Sequence, residues 1–276
     1  MRKISKKLVL ILCLAMVVSV FAGCSSDKED GKDSDKKTIS IGCMPLNEQA
    51  LQPVKEAMAE KGYEVEIKVF DGNNLPAEAL KADEIDALLL NHLPWVKNFN
   101  EQNDAELTMV DGFTYASIFG LYSAKWDSID KIPQDGKIIV SNDPANMHRS
   151  LLFLDKLGLI KLGDKTGDYY TVLDIKENPK NLQIVEVETT NTAGSYQDAD
   201  ASISFSSVMR NAGIDAYSYL AEDGDYVNYP TGFFVNKGDE ESEWAKALIE
   251  VTSTEEYKNK FDQAFGGAYK IFDYEG

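Results

Sequence analysis

The chain has 276 residues, 46 acidic against 28 basic, and a formal net charge of −18. A surface that acidic excludes nucleic acid and unaided binding to anionic lipid as the basis of function. Three cysteines and two histidines, with no CxxC or HExxH arrangement, argue against a zinc or thiol-chemistry site, so neither a metal nor a cofactor is expected.

Residues 1–23 read as a targeting signal. Arg2, Lys3, Lys6 and Lys7 form a basic start, and Leu8 to Ala22 is an apolar run too short for a comfortable membrane span. The run ends Val20-Phe21-Ala22-Gly23-Cys24, which resembles a bacterial lipobox with Phe21 in place of the usual leucine. That resemblance implies cleavage before Cys24 and a diacylglycerol thioether on its sulfur. The alternative is an ordinary secretory signal with an incidental cysteine. Residues 24–36 then read as a flexible leash, since nothing apolar follows Cys24 before the folded part. The expected state is a protein anchored to the cell membrane at its extracytoplasmic face. Four basic and no acidic residues leave with the signal, so the mature chain carries −22.

About 240 residues follow, enough for two modest lobes or one large α/β domain. Residues 37–44 read as a strand and 49–61 as a helix closed by Gly62. Cys43, in an apolar setting, reads as a small buried core residue. Residues 64–70 alternate as a strand, 76–82 form a short helix, 85–90 an apolar strand and 94–102 a helix. Residues 107–110 and 117–123 are strand-like. This alternation indicates a largely parallel α/β sheet. A connection over 126–136 leads to an apolar strand, Ile138 to Val140. Asp143 then offers an N-cap and Pro144 suits the first helical position. Leu151, Leu152, Leu154, Leu157 and Ile160 recur at helical spacing, and Gly158 and Gly163 weaken or end that helix. Residues 170–176 and 182–187 bracket a turn at Asn178-Pro179. Strands are expected at 201–205 and 232–236, and a short helix at 207–212. Helices at 242–251 and 254–265 are capped by Ser242 and Thr254. The stretch 217–225 carries no clear pattern.

Asn146 and Arg149 lie three apart at the start of the 144 helix, hence on one face. Backbone N–H groups, the positive end of the helix dipole and a planar guanidinium converge there, a place to hold an anion. The same pattern also fits an arginine that salt-bridges at the surface. No nucleophile elbow, phosphate loop or convergent Ser/His/Asp set is present, so an enzyme is not expected.

Several ordered stretches resemble the NlpA/MetQ family, lipoproteins that bind methionine or related ligands for ABC importers. The strongest is Asn142-Asp143-Pro144 with Asn146 and Arg149, then Leu151-Leu152 and Gly158-Leu159-Ile160-Lys161-Leu162. Asp174 to Lys180 and Glu186-Val187-Glu188 resemble the next two landmarks. Upstream, Glu84-Ile85-Asp86-Ala87 with His92 and Pro94 is similar to the family's strand-end histidine motif. Gly120-Leu121-Tyr122-Ser123 with Lys125, and Tyr226-Val227-Asn228, also fit. The resemblance implies a two-lobe, periplasmic-binding-protein-like α/β fold (type II-like) with a ligand cleft between the lobes. Lobe I would comprise 37–121 and 226–276, lobe II 122–225.

Carried residue by residue, the resemblance makes Arg149 the carboxylate-binding arginine and Asn146 a neighbour facing the ligand. His92 lines the side-chain pocket, with Asn91 beside it in place of the commoner glutamine. Where the family carries an aromatic against the methionine side chain this chain has Asn73, unless Phe70 or Tyr115 substitutes, and Ala77 is a further departure. Phe205 and Ser207 stand where asparagines usually hold the amino group. A serine hydroxyl can accept from an ammonium and a phenylalanine cannot. Asn228 completes the expected ligand set. The expected function is capture of an amino-acid-type ligand, L-methionine or a related amino acid or small peptide, by a monomer that delivers it to a permease and its ATPase. The alternative is a lipid-anchored surface protein of this fold with a diverged ligand, or an adhesin or scaffold role.

Overall fold

The computed structural model describes residues 37–272 and 274. The expected signal (1–23), Cys24 and the leash (24–36) lie outside the described residues. Among the described residues no helix is long and apolar enough to cross a membrane.

Two sheets organise the chain. The first begins with β1 (Thr38–Cys43), which pairs in parallel with β2 (Glu64–Val69) and β3 (Ala87–His92). The crossovers are α1 (Glu48–Glu60) and α2 (Leu75–Lys81), and β3 runs directly into α3 (Leu93–Asn103). α1 buries Ala50, Leu51, Val54 and Met58, the one face its spacing makes apolar. β4 (Leu107–Met109) and β5 (Thr114–Ser117) follow. The second sheet opens with β6 (Phe119–Tyr122) and continues through β7 (Lys137–Ser141) and α4 (Pro144–Lys156). α4 stops at Lys156 because Gly158 takes φ +71°, a left-handed turn that favours glycine. β8 (Lys161–Leu162) and β9 (Ile175–Glu177) form a small antiparallel pair. β10 (Gln183–Val187), β11 (Ala201–Phe205), α5 (Ser206–Asn211) and β12 (Tyr219–Glu222) complete this part. The chain then returns to the first sheet with β13 (Thr231–Asn236), α6 (Glu243–Thr252), α7 (Glu255–Phe265) and β14 (Tyr269–Phe272).

Strand order is β14-β5-β13-β3-β1-β2, with β4 beside β13, and β10-β7-β11-β6-β12. Both sheets are mixed, which corrects the expectation of a largely parallel one. β13 runs antiparallel to β3, β4 and β5, and β6 runs antiparallel to β11 and β12. These are the strands that lead the chain out of one sheet and back from the other, so no crossover helix sets their direction. The single strand expected over 117–123 is divided for the same reason. β5 ends at Ser117 in the first sheet, and β6 starts at Phe119 in the second. Sheet membership thus changes between Ser117 and Phe119.

Each sheet has its own core. Ile39, Ile41, Leu51, Met58, Trp244, Leu248 and Phe261 pack on the first. Phe119, Ile138, Val140, Leu151, Leu154 and Ile203 pack on the second. Ser242 and Thr254 cap α6 and α7 through the Ala245 and Tyr257 N–H groups. Phe261 is the hub of a ring cluster, with centroids of Phe113, Tyr115 and Phe265 at 5.0, 4.8 and 4.7 Å. Phe261→Ala is expected to destabilise the fold by about 3–5 kcal/mol, through lost transfer energy and the cavity left behind. Urea unfolding at constant m-value measures it.

Candidate functional site

Two strand-to-helix junctions bring the polar groups together. His92 ends β3 and caps α3, and its Nδ1 accepts from the Trp95 N–H at 3.2 Å. That assigns the proton to Nε2, which donates to Asn146 Oδ1 at 2.8 Å. Asn146 Nδ2 donates in turn to Asp143 Oδ2 at 2.8 Å. Asp143 caps α4 through the Asn146 N–H at 2.9 Å. It also accepts from Ser141 Oγ at 2.7 Å and Thr189 Oγ1 at 2.9 Å. A hydrogen-bonded chain therefore runs from the helix cap of the second sheet to that of the first. Burial, opposed by the bond to Asn146 and aided by the charge of Arg149, pushes the His92 imidazole down from 6.5 to about 4.

Arg149 lies one turn beyond Asn146 and is 2% exposed. Its Nε donates to Asp223 Oδ2 at 2.6 Å, in a pair buried on both sides. Its guanidinium carbon is 3.9 Å from the Tyr229 ring centroid and 4.4 Å from that of Phe119, with Phe205 at 5.8 Å. Nη2 is buried and has no hydrogen-bond partner among the described residues. The surface-salt-bridge reading is excluded by this burial. Asp223 occupies the Nε edge of the guanidinium.

Arg149 lines a cavity of about 260 Å³ between the two sheets. Asn73, Asn91, His92, Tyr115 and Tyr269 wall it from the first sheet's side, and Asn146, Thr189, Asn191, Phe205 and Ser207 from the second's. Asn228, from the expected ligand set, falls outside that lining. It is exposed and donates to Asp225 Oδ1 at 2.6 Å, and its neighbour Tyr229 lines the cavity instead. Phe70 and Ala77 belong to the core around Leu88 and Trp95, so of Phe70 and Tyr115 it is Tyr115 that lines the cavity. Phe205 packs at 4.8 Å from Phe119, and Ser207 Oγ lies 3.1 Å from Ser117 Oγ. His148 stacks on Tyr170 at 5.4 Å. Cys43 is buried and free. Among the described residues no group of three or more His, Cys, Asp or Glu side chains could hold a metal ion.

Over residues 39–271 the sequence matches the NlpA lipoprotein family. The chain belongs to that family. It is 33% identical to the D-methionine-binding lipoprotein MetQ of Salmonella typhimurium over 257 residues, 90% of this chain and 92% of that one. Among solved structures it resembles a nutrient binding protein from Burkholderia cenocepacia bound to methionine. The TM-score is 0.79 and the identity 29%, over 84% of this chain and 99% of that one. A periplasmic substrate-binding protein of an ABC transporter from Coxiella burnetii superposes with a TM-score of 0.78 and 27% identity, over 85% and 100% of the two chains. The NlpA lipoproteins are substrate-binding proteins, not enzymes. The α/β fold described above is theirs.

Within this NlpA fold, the cavity gathers residues that no local pattern marked. Tyr229, and Asp223, which pairs with Arg149 from outside the lining, sit between β12 and β13, where the sequence shows neither periodicity nor a cap. Asn47 lies in the short 3-10 turn Pro45–Asn47 after β1. Only the Tyr226-Val227-Asn228 resemblance pointed to the right segment, one residue short of Tyr229.

The histidine sets a pH dependence whose sign is fixed. Between pH 6.5 and about 4 the unfolded chain binds a proton that the folded His92 does not. Stability from this group is therefore complete above that window and falls as the pH is lowered through it. Wild type is expected to lose stability relative to His92→Gln between pH 6.5 and 4.5, by urea unfolding of both proteins. Parallel curves refute the assignment.

Proposed function

We propose that this chain is the substrate-binding lipoprotein of an ABC importer. It captures one amino-acid-type ligand, L-methionine or a related amino acid or small peptide, between two lobes that close on it. The observation that carries this reading is the Arg149 Nη2: a buried, unpartnered donor of a cation, on a cavity walled from both sheets. A ligand carboxylate supplies the missing acceptor in a site where water does not screen the interaction. The guanidinium plane is already set by Asp223, Tyr229 and Phe119, so little orientation is lost when the anion arrives.

The lobes of this reading are built on the two sheets, residues 37–121 with 226–276 and residues 122–225, with Phe119 to Leu121 joining the second. Closure is favoured by contacts that the two walls make only when they meet, such as the His92–Asn146 bond. The lipid on Cys24 holds the monomer at the extracytoplasmic face, where the closed form meets the permease and its ATPase. The methionine-binding names of the relatives support the ligand class, and their lipoprotein names support the anchor.

Removing Arg149 alone strands the Asp223 carboxylate in the interior, at about 3–5 kcal/mol, and confounds binding with folding. The paired variant Arg149→Gln with Asp223→Asn keeps a neutral hydrogen-bonding pair. Wild type is expected to gain about 5–10 °C in Tm at ligand concentrations about 100-fold above Kd, and the paired variant to gain nothing. Mass spectrometry of what the denatured proteins release gives the second readout, an amino acid from wild type and none from the variant. Equal capture by both proteins refutes the role of Arg149.

A further inference from the structure

Besides Arg149, three buried side chains leave a polar atom without a partner among the described residues on the same cavity, the Tyr269 hydroxyl and two amide oxygens, Asn47 Oδ1 and Asn91 Oδ1. Asn47 is 3% and Asn91 5% exposed. In both, the NH₂ end is tied away, from Asn91 to Asn73 Oδ1 at 3.0 Å and from Asn47 to the Tyr115 hydroxyl at 3.4 Å. The carbonyl end is what remains. Both stand on first-sheet elements, the end of β3 and the turn after β1, whereas Arg149 stands on α4 of the second sheet.

We propose that Asn47 and Asn91 accept hydrogen bonds from the bound ligand, so that the first-sheet wall selects a ligand bearing N–H groups opposite its carboxylate. The inference rests on the capture reading above and deepens it. A buried carbonyl without a donor has lost its water and gained nothing, and two on one wall disfavour any occupant without protons to give. A thioether is a weak acceptor with no proton to offer. The N–H groups come either from the ligand's own ammonium or from an amide or amine in its side chain. In the first case, Asn47 and Asn91 do the work that Phe205 cannot. The partition is then simple: the second-sheet wall reads the anion and the first-sheet wall reads the donor.

Calorimetric titration of the full-length protein in detergent tests this with L-methionine, L-norleucine, L-glutamine and 4-(methylsulfanyl)butanoate, the last being methionine without its amine. Asn47→Leu and Asn91→Leu are expected to weaken binding of the preferred probe about 10- to 100-fold. If the ammonium is the donor, the butanoate binds wild type as poorly as methionine binds the leucine variants. If the donor is in the side chain, glutamine is preferred over norleucine and the variants erase that preference. These ligand comparisons on unaltered protein stand even where a variant does not fold. The proposal is overturned if methionine, norleucine, glutamine and the butanoate bind wild type alike, or if the leucine variants bind every probe as wild type does. Failure of all four probes to bind wild type overturns the capture reading itself, and this inference with it.

Discussion

A guanidinium kept out of water needs a fixed anion, and in this protein Asp223 provides it. Asp223 lies just after β12, on the segment that carries the chain back to the first sheet. That segment is pinned at the same residue by its own backbone, since the Asp223 N–H donates to Phe119 O at 2.9 Å and Lys156 Nζ reaches the Asp223 carbonyl at 2.5 Å. The placement of the return crossing and the orientation of the cation are thus one constraint. In the proposed reading, a chain of net charge −18 holds an anion not by excess positive charge but by a directed N–H donor in a place with little solvent.

The two walls of the cavity are prepared differently. On the second, the Asp143 carboxylate gathers the Asn146 N–H and amide, the Ser141 hydroxyl and the Thr189 hydroxyl, so that wall is held before anything binds. On the first, Asn47 and Asn91 are anchored by their NH₂ ends only. The hydrogen bond between His92 and Asn146 joins the two, His92 being the N-cap of α3 and Asn146 the first-turn residue that Asp143 caps in α4, so a shift in one helix is felt at the start of the other.

What the sequence made legible is what local chemistry dictates. Asp143, Ser242 and Thr254 cap the helices they were expected to cap, because an N-cap involves only a side chain and a backbone group three residues on. The strand Ala201–Phe205 is apolar enough to be read without its neighbours. β12 and β14 escaped because their residues show no period and are strands only by virtue of pairing with β6 and β5. Strand direction escaped for a related reason: helix and strand alternation says nothing about segments that leave a sheet. At the site, residues within one turn of each other, Asn146 and Arg149, could be placed together from spacing alone. The Asp223 partner is 74 residues from Arg149, and the Asn47 partner Tyr115 is 68 residues away, so neither pairing leaves a local trace.

His92 has both ring nitrogens engaged, Nδ1 by the Trp95 N–H and Nε2 by Asn146, with Tyr229 edge-on at 5.3 Å. Any molecule in the cavity that touches this imidazole meets carbon. The residue most readily suspected of acid–base work is chemically silent, and it acts on an occupant as a flat, rigid panel. Discrimination at that panel is steric, set by thickness and contour, and a histidine here does what an aromatic hydrocarbon would do while also carrying the hydrogen bonds that hold it in place.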